Sequence, residues 1–165
     1  MRRLILVATI VTVAPVAAAG PAGAGDWLWP IVGPVVQGFD APASPFGSGH
    51  RGIDIAAPSG TPIVAPAAGH VSFAGKVAGS LFVSIDHGDG LVSSYSWVSR
   101  VLVKRGEPVA TGQRVALSGV GHPSIDVAQL HMGVRLDGTY VDPLEYLRAA
   151  SVSDLIRLAP IDAAA

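Results

Sequence analysis

The 165-residue sequence has no cysteine, no asparagine and only two lysines, and charged side chains make up 14% of it. Without cysteine there is neither a disulfide nor a thiol to carry a lipid at a processed N-terminus, so an exported domain must be held by its core alone. Without asparagine there is no acceptor for N-glycosylation. Basic side chains number 11 against 12 acidic ones. Nucleic-acid binding needs Lys and Arg clustered along one face, so no nucleic-acid partner is expected. Half of the residues are hydrophobic, which excludes a disordered chain, and the length suits one domain of ordinary size.

What is abundant is apolarity, with a mean hydropathy of +0.48. Much of it sits at the N-terminus, where Met1-Arg2-Arg3 precedes an apolar run from 4 to 16 and the small residues Ala17, Ala18, Ala19 and Gly20. That succession of charged, apolar and small residues is expected to be a secretory signal over 1–24, cleaved after Ala19 or near Ala24. The run is shorter than the roughly 20 residues a stable span requires. No stable membrane span is therefore expected once the signal is removed, and the remainder is expected outside the cytoplasm, secreted or in the cell envelope. Loss of Arg2 and Arg3 with that leader leaves an acidic excess.

Behind the leader, 25–48 reads as a lead-in segment in which Trp27 and Trp29 cover one end of a core. From residue 53 onward, short apolar stretches alternate with turn chemistry. Strands are expected at 53–56, 62–65, 70–74, 81–86, 91–95, 101–103, 114–117 and 127–135, separated by turns such as Pro58-Ser59-Gly60, His87-Gly88-Asp89-Gly90 and Asp137-Gly138. So many closely spaced strands without helical periodicity indicate an all-β fold, an antiparallel sandwich or barrel-like core spanning 49–147. A short C-terminal helix is expected where Asp142 can cap, Pro143 suits the first position, and Leu144, Leu147 and Ala150 share a face. A second helical turn over 154–158 and a frayed tail complete the 148–165 segment.

His50 and Asp54 lie four positions apart, and in an extended segment that even spacing points both side chains to one face. Far along the chain, Gln129 and His131 flank Leu130 in the same way. His50, Asp54 and His131 together form a two-nitrogen, one-oxygen set that suits Zn2+ and leaves a fourth position open, as in hydrolytic rather than structural sites. Taken singly, each of the three also reads as a turn or capping residue, and spacing alone does not decide between the two.

At these residues the chain resembles a known family, the lysostaphin-like (LytM-type) zinc metalloendopeptidases of bacterial cell walls. The resemblance covers roughly residues 29–147. It runs through Gly-His-Arg-Gly-Ile-Asp-Ile-Ala-Ala-Pro (49–58), Gly-Thr-Pro-Ile-Val-Ala-Pro-Ala-Ala-Gly (60–69), Ile-Asp-His-Gly-Asp-Gly-Leu (85–91), Val-Lys-Arg-Gly-Glu-Pro-Val-Ala-Thr-Gly-Gln (103–113), Leu-His (130–131) and Asp-Pro (142–143). It implies an antiparallel β core of the duplicated hybrid motif type. It also implies a zinc held by His50, Asp54 and His131, and action on peptidoglycan peptide cross-links.

Two positions depart from the family pattern. His-x-His is replaced by Gln129-Leu130-His131, and Tyr-x-His by Tyr95-Ser96-Trp97. In the family the two missing histidines orient or deprotonate the attacking water and stabilise the charged intermediate. A glutamine amide has no usable pKa near neutrality and an indole N–H only donates, so neither replacement is a general base. Gln129 retains a hydrogen-bonding role toward the attacking water or an oxyanion. His122, in Gly121-His122-Pro123, is a candidate to return to the groove and take over catalysis, against the plainer reading of an exposed loop histidine. Asp126 in the same loop is a weaker candidate. His70 and His87 read as structural, and Ser93 and Ser94 lack the strained elbow of a serine hydrolase.

Three functions are consistent with this pattern. The first, and the one expected from the retained ligand set and the export signal, is a secreted zinc metalloendopeptidase acting on peptidoglycan. The second is a catalytically impaired domain that binds wall material or regulates another wall hydrolase, with Trp97 either stacking on a ligand or packing in the core. The third is a biotinyl- or lipoyl-type carrier, suggested by the 103–113 run. The third needs a lysine at an exposed hairpin tip, and neither Lys76 nor Lys104 lies in such a motif.

Overall fold

A computed structural model describes residues 26–44, 47–122 and 126–149. The secretory signal expected over 1–24, Ala150 and the turn expected over 154–158 lie outside the described residues. Among the described residues no helix is long and apolar enough to cross a membrane.

Eleven strands form two antiparallel sheets: β1 Val35–Gln37, β2 Ile53–Ala56, β3 Pro62–Val64, β4 Gly69–Val77, β5 Ser80–Gly88, β6 Leu91–Val98, β7 Arg100–Val101, β8 Pro108–Val109, β9 Arg114–Leu117, β10 Gln129–Leu136 and β11 Thr139–Val141. The large sheet runs β1-β2-β10-β6-β5-β4-β8 with β11 also paired to β10, and the small one runs β3-β9-β7. The all-β antiparallel expectation holds, but the core is not a closed barrel. The large sheet ends at β1 on one side and β8 on the other, and these edges do not pair with each other. β1, β8 and β11 are two or three residues long, too short to show an alternation in the sequence.

Strand alternation sorts the side chains of the large sheet. Ile53 and Ile55 of β2, Leu130, Met132 and Val134 of β10, Tyr95 of β6 and Val83 and Ile85 of β5 turn inward and are fully buried. Ile63 of β3 and Val115 and Ala116 of β9 join them from the small sheet. The opposite face of the large sheet therefore receives Asp54, Gln129, His131 and Ser96, brought side by side by the pairs His131↔Asp54 and His131↔Ser96.

The lead-in segment is part of this core. Trp27 is completely buried against Tyr146 and His87, with ring centroids 5.3 and 4.5 Å away. Its backbone also explains the departure at the C-terminus, where a helix was expected. Asp142 does cap, accepting from the Leu144 N–H, but only a single 3-10 turn follows at Pro143–Glu145. The Tyr146 carbonyl then accepts the Trp27 N–H at 2.9 Å, and the Arg148 N–H donates to the Trp27 carbonyl at 2.8 Å. Backbone groups that would propagate a helix are consumed by this strand-like pairing.

His87 closes a buried relay rather than a local turn. Its Nδ1 donates to the Ala68 carbonyl at 2.9 Å, so Nε2 is left to accept from the Ser93 hydroxyl at 2.8 Å, and the Tyr95 hydroxyl donates to Ser93 at 3.0 Å. Ser93 is fully buried, which suits a structural link and not a nucleophile. Burial pushes the His87 pKa below its ordinary 6.5, against the opposing pull of the Ala68 carbonyl and the Asp86 charge. Below that ordinary value the unfolded chain binds more protons than the folded one, so the stability this group supports is full above it and is lost as the pH falls. The urea midpoint is accordingly expected to drop between about pH 7.5 and 5.5, and the drop to be smaller in the His87→Gln variant. Equal pH dependence in the two proteins, followed by tryptophan fluorescence, would remove His87 from this account.

Candidate metal centre

His50 lies outside any strand, on an isolated bridge in which its backbone N–H donates to the Asp40 carbonyl at 2.8 Å and its carbonyl accepts from Asp40 at 2.9 Å. This bridge fixes the ring direction. The His50 Nδ1 donates to the Gly38 carbonyl at 2.7 Å, which in the neutral ring places the proton there and leaves Nε2 as a lone-pair donor. That nitrogen faces His131 Nδ1 at 3.1 Å and Asp54 Oδ1 at 3.3 Å, and His131 Nδ1 lies 2.9 Å from the same Oδ1. Asp54 is fully buried.

These three atoms form a nearly equilateral triangle. A regular tetrahedron around Zn2+ with bonds of about 2.0 Å has edges of about 3.3 Å, so the triangle matches one of its faces. The donor chemistry fits as well: imidazole nitrogens and a carboxylate oxygen converge from distant parts of the chain, and the His50 ring keeps its proton on Nδ1, hydrogen-bonded to the Gly38 carbonyl, which leaves Nε2 free. His50, Asp54 and His131 would hold the ion. When bound, Zn2+ supplies Lewis-acid polarisation of a carbonyl or of water.

Burial works against the charge on Asp54, yet hydrogen bonds from His131 and His122 and the positive potential of His131 and His50 together outweigh it. Its carboxyl is held below the ordinary carboxylate value, so it remains an anion at neutral pH and a competent ligand.

The remaining candidates differ in placement. His122 reaches the site: its Nε2 donates to Asp54 Oδ2 at 2.9 Å, and it is only partly exposed. Gln129 lies on the face of Asp54 and His131, two residues from His131, but is fully buried, and among the described residues neither its Nε2 nor its Oε1 has a hydrogen-bond partner. Asp126 is exposed in the loop before β10, and His70 is exposed on β4.

Trp97 belongs to the site wall. It is the extra residue of a β-bulge, since Leu81 pairs with Val98 and Phe82 with Ser96. Its backbone takes the left-handed φ of 54°, a strained conformation for a large side chain. The bulge swings the indole to the ligand face, where its ring centroid lies 5.1 Å from His122, 5.7 Å from His131 and 6.0 Å from Phe82.

Sequence reasoning missed the Gly38 carbonyl behind His50, because a backbone acceptor leaves no residue-type signal. It also missed why Gly52 must be glycine. A Cβ there would collide with the Met132 carbonyl and come within 2.9 Å of the His131 ring.

An open antiparallel sheet with His50 bridged beside it brings two imidazoles and a buried carboxylate into one group that could hold a metal ion, the arrangement of a metallopeptidase-type fold. The chain belongs to peptidase family M23, whose family model matches residues 48–143. It is 39% identical over 132 residues to the uncharacterized lipoprotein YgeR of Escherichia coli, covering 77% of this chain and 49% of the relative. It is 36% identical over 124 residues to the murein hydrolase activator NlpD of Salmonella dublin, covering 73% and 31%. Among solved structures, a zinc-containing peptidase from Vibrio cholerae superposes with a TM-score of 0.63 at 25% identity, covering 76% of this chain and 41% of that one. The chain thus spans about half or less of the length of these proteins.

The close approach at residue 52 gives a direct test. Gly52→Ala is expected to cost roughly 1–3 kcal/mol, because the Met132 carbonyl lies in the central strand β10 and cannot yield cheaply. Urea unfolding of the two proteins measures it, and a change below about 0.5 kcal/mol would contradict the packing described.

Proposed function

We propose that this chain is an extracytoplasmic, zinc-holding M23 domain directed at peptidoglycan. Its own peptidase step is impaired, and it works by engaging wall peptides or by regulating another wall hydrolase. The observation that carries the reading is the pair at the site wall. Gln129 is sealed beside the ligands with its amide unpartnered, and the indole of Trp97 packs against His122 and His131. Neither side chain takes a proton near neutral pH. Loss of a general base costs about 10²–10⁴ in rate.

The retained chemistry is that of binding and orientation. His50 Nε2 presents a lone pair and His131 Nδ1 would do so on releasing its proton to admit a metal ion, Asp54 supplies the anion, and the Gln129 amide offers both a donor and an acceptor to whatever reaches it. The indole adds a flat apolar wall against which a peptide or sugar face stacks. A location outside the cytoplasm is supported by the leader-like N-terminus and by relatives named as lipoproteins and as a murein hydrolase activator.

A second reading, an active zinc metalloendopeptidase cutting peptidoglycan cross-links, is favoured by the intact ligand triangle. In that case His122 and Gln129 must supply the proton handling and orientation. Hydrolysis by the wild type that is unchanged in His122→Ala would take His122 out of it.

One purified sample decides between the two. About one zinc per chain is expected by metal analysis, with near-complete loss in His131→Ala. The wild type is expected to sediment with purified walls while releasing few muropeptides. The Trp97→His, Gln129→His double variant is expected to gain release, histidine also being more at ease than tryptophan at a left-handed φ. Brisk digestion by the wild type would establish the second reading, and a double variant with zinc but no gain would refute the stated cause of impairment.

A further inference from the structure

The motif Gly121-His122-Pro123 is not absorbed by the ligand triangle. His122 and His131 both touch Asp54, but they use different oxygens. His131 Nδ1 and His50 Nε2 address Oδ1 at 2.9 and 3.3 Å, and His122 Nε2 addresses Oδ2 at 2.9 Å. A carboxylate oxygen only accepts, so the His122 nitrogen is the donor. Its ring stands apart from the triangle, with its centroid 6.3 Å from that of His50, whereas the His50 and His131 rings are 4.9 Å apart.

The placement of this ring is enforced. Gly121 takes a left-handed φ of 84°, and a Cβ there would come within 3.0 Å of the Gln129 carbonyl, so the loop presses directly on β10. On the other side the Trp97 indole packs against the His122 ring at 5.1 Å. Asp54 is fully buried, and among the described residues the donor to its Oδ2 is His122.

We propose that His122 is a positioning residue for the metal centre. Its hydrogen bond to Oδ2 stops the Asp54 carboxylate from turning, so that Oδ1 alone is presented to the space between His50 and His131. This rests on reading the triangle as a metal site, and it replaces a role in proton transfer with one in ligand orientation. Partners that hold a ligating side chain typically contribute about 10–100-fold to metal affinity.

Three proteins test it: wild type, His122→Ala and His122→Gln, the last keeping an N–H donor of similar reach. Zn2+ affinity is measured by chelator competition, the visible spectrum of the Co2+ form reports the ligand field, and urea unfolding of the metal-free proteins controls for folding. The alanine variant is expected to bind Zn2+ roughly 10–100-fold more weakly and to show an altered Co2+ spectrum, with glutamine restoring most of both. Unchanged affinity and spectrum in the alanine variant would overturn the proposal while leaving the zinc reading intact. A folded glutamine variant as weak as alanine would overturn it too, because His122 would then act as a ligand and not as a donor. If the alanine variant fails to fold, glutamine alone decides by keeping or losing wild-type affinity. A wild type that takes up no Zn2+ overturns this proposal and the proposed function together.

Discussion

One buried carboxylate organises the site. Asp54 is sealed from solvent, yet both of its oxygens are engaged, one facing the two imidazoles that close the triangle and the other held by the loop histidine. A carboxylate in such a place is tolerable only because donors surround it. Its position is set by the register of β2 against β10, in which His131 lies opposite Asp54. A slip of one residue would turn Ile53 or Ile55 onto the ligand face and drive the aspartate into the hydrocarbon core. The same register that buries the isoleucines therefore assembles the site.

The site separates into a floor and walls with different origins. The floor, Asp54 and His131, is built by paired central strands, and His50 is tied to it through two backbone hydrogen bonds with Asp40 and a ring hydrogen bond to Gly38. The walls are single side chains on a bulge, a strand end and a loop: Trp97, Gln129 and His122. A left-handed backbone at a tryptophan costs about 1–2 kcal/mol. It persists here because Phe82, His122 and His131 surround the indole. Substitution at the walls changes proton handling and leaves the floor standing. This is how a chain keeps the His50, Asp54 and His131 group while carrying Trp97 and Gln129 at its walls.

Most of the sheet and the residues of the His50, Asp54 and His131 group were legible in the sequence, and the reasons are physical. Ile53, Asp54 and Ile55 alternate, as do Gln129 to Val134, so strand periodicity announces both faces at once. β1, β8 and β11 escaped because two or three residues carry no period. The C-terminal helix was expected from sound capping signals at Asp142 and Pro143, which do form one turn. It was overruled by the backbone of Trp27, more than a hundred residues away, which no local signal reveals. Trp97 was left between core and groove because a bulge cannot be read from its own strand. It takes the partner strand, where Leu81 and Phe82 face Val98 and Ser96, to show that one residue is surplus.

Gln129 occupies an energetically costly place beside the site. An amide buried with no protein partner costs about 1–3 kcal/mol relative to one that is satisfied. An apolar residue of similar size would avoid that cost at this position. In strand β10 the amide stands two residues from a ligand and opposite Ala56, a side chain too small to answer it. Among the described residues its donor and its acceptor are both left unmatched. At Trp97 and Gln129 neither wall side chain takes a proton near neutral pH, whereas the His50, Asp54 and His131 group beside them is complete.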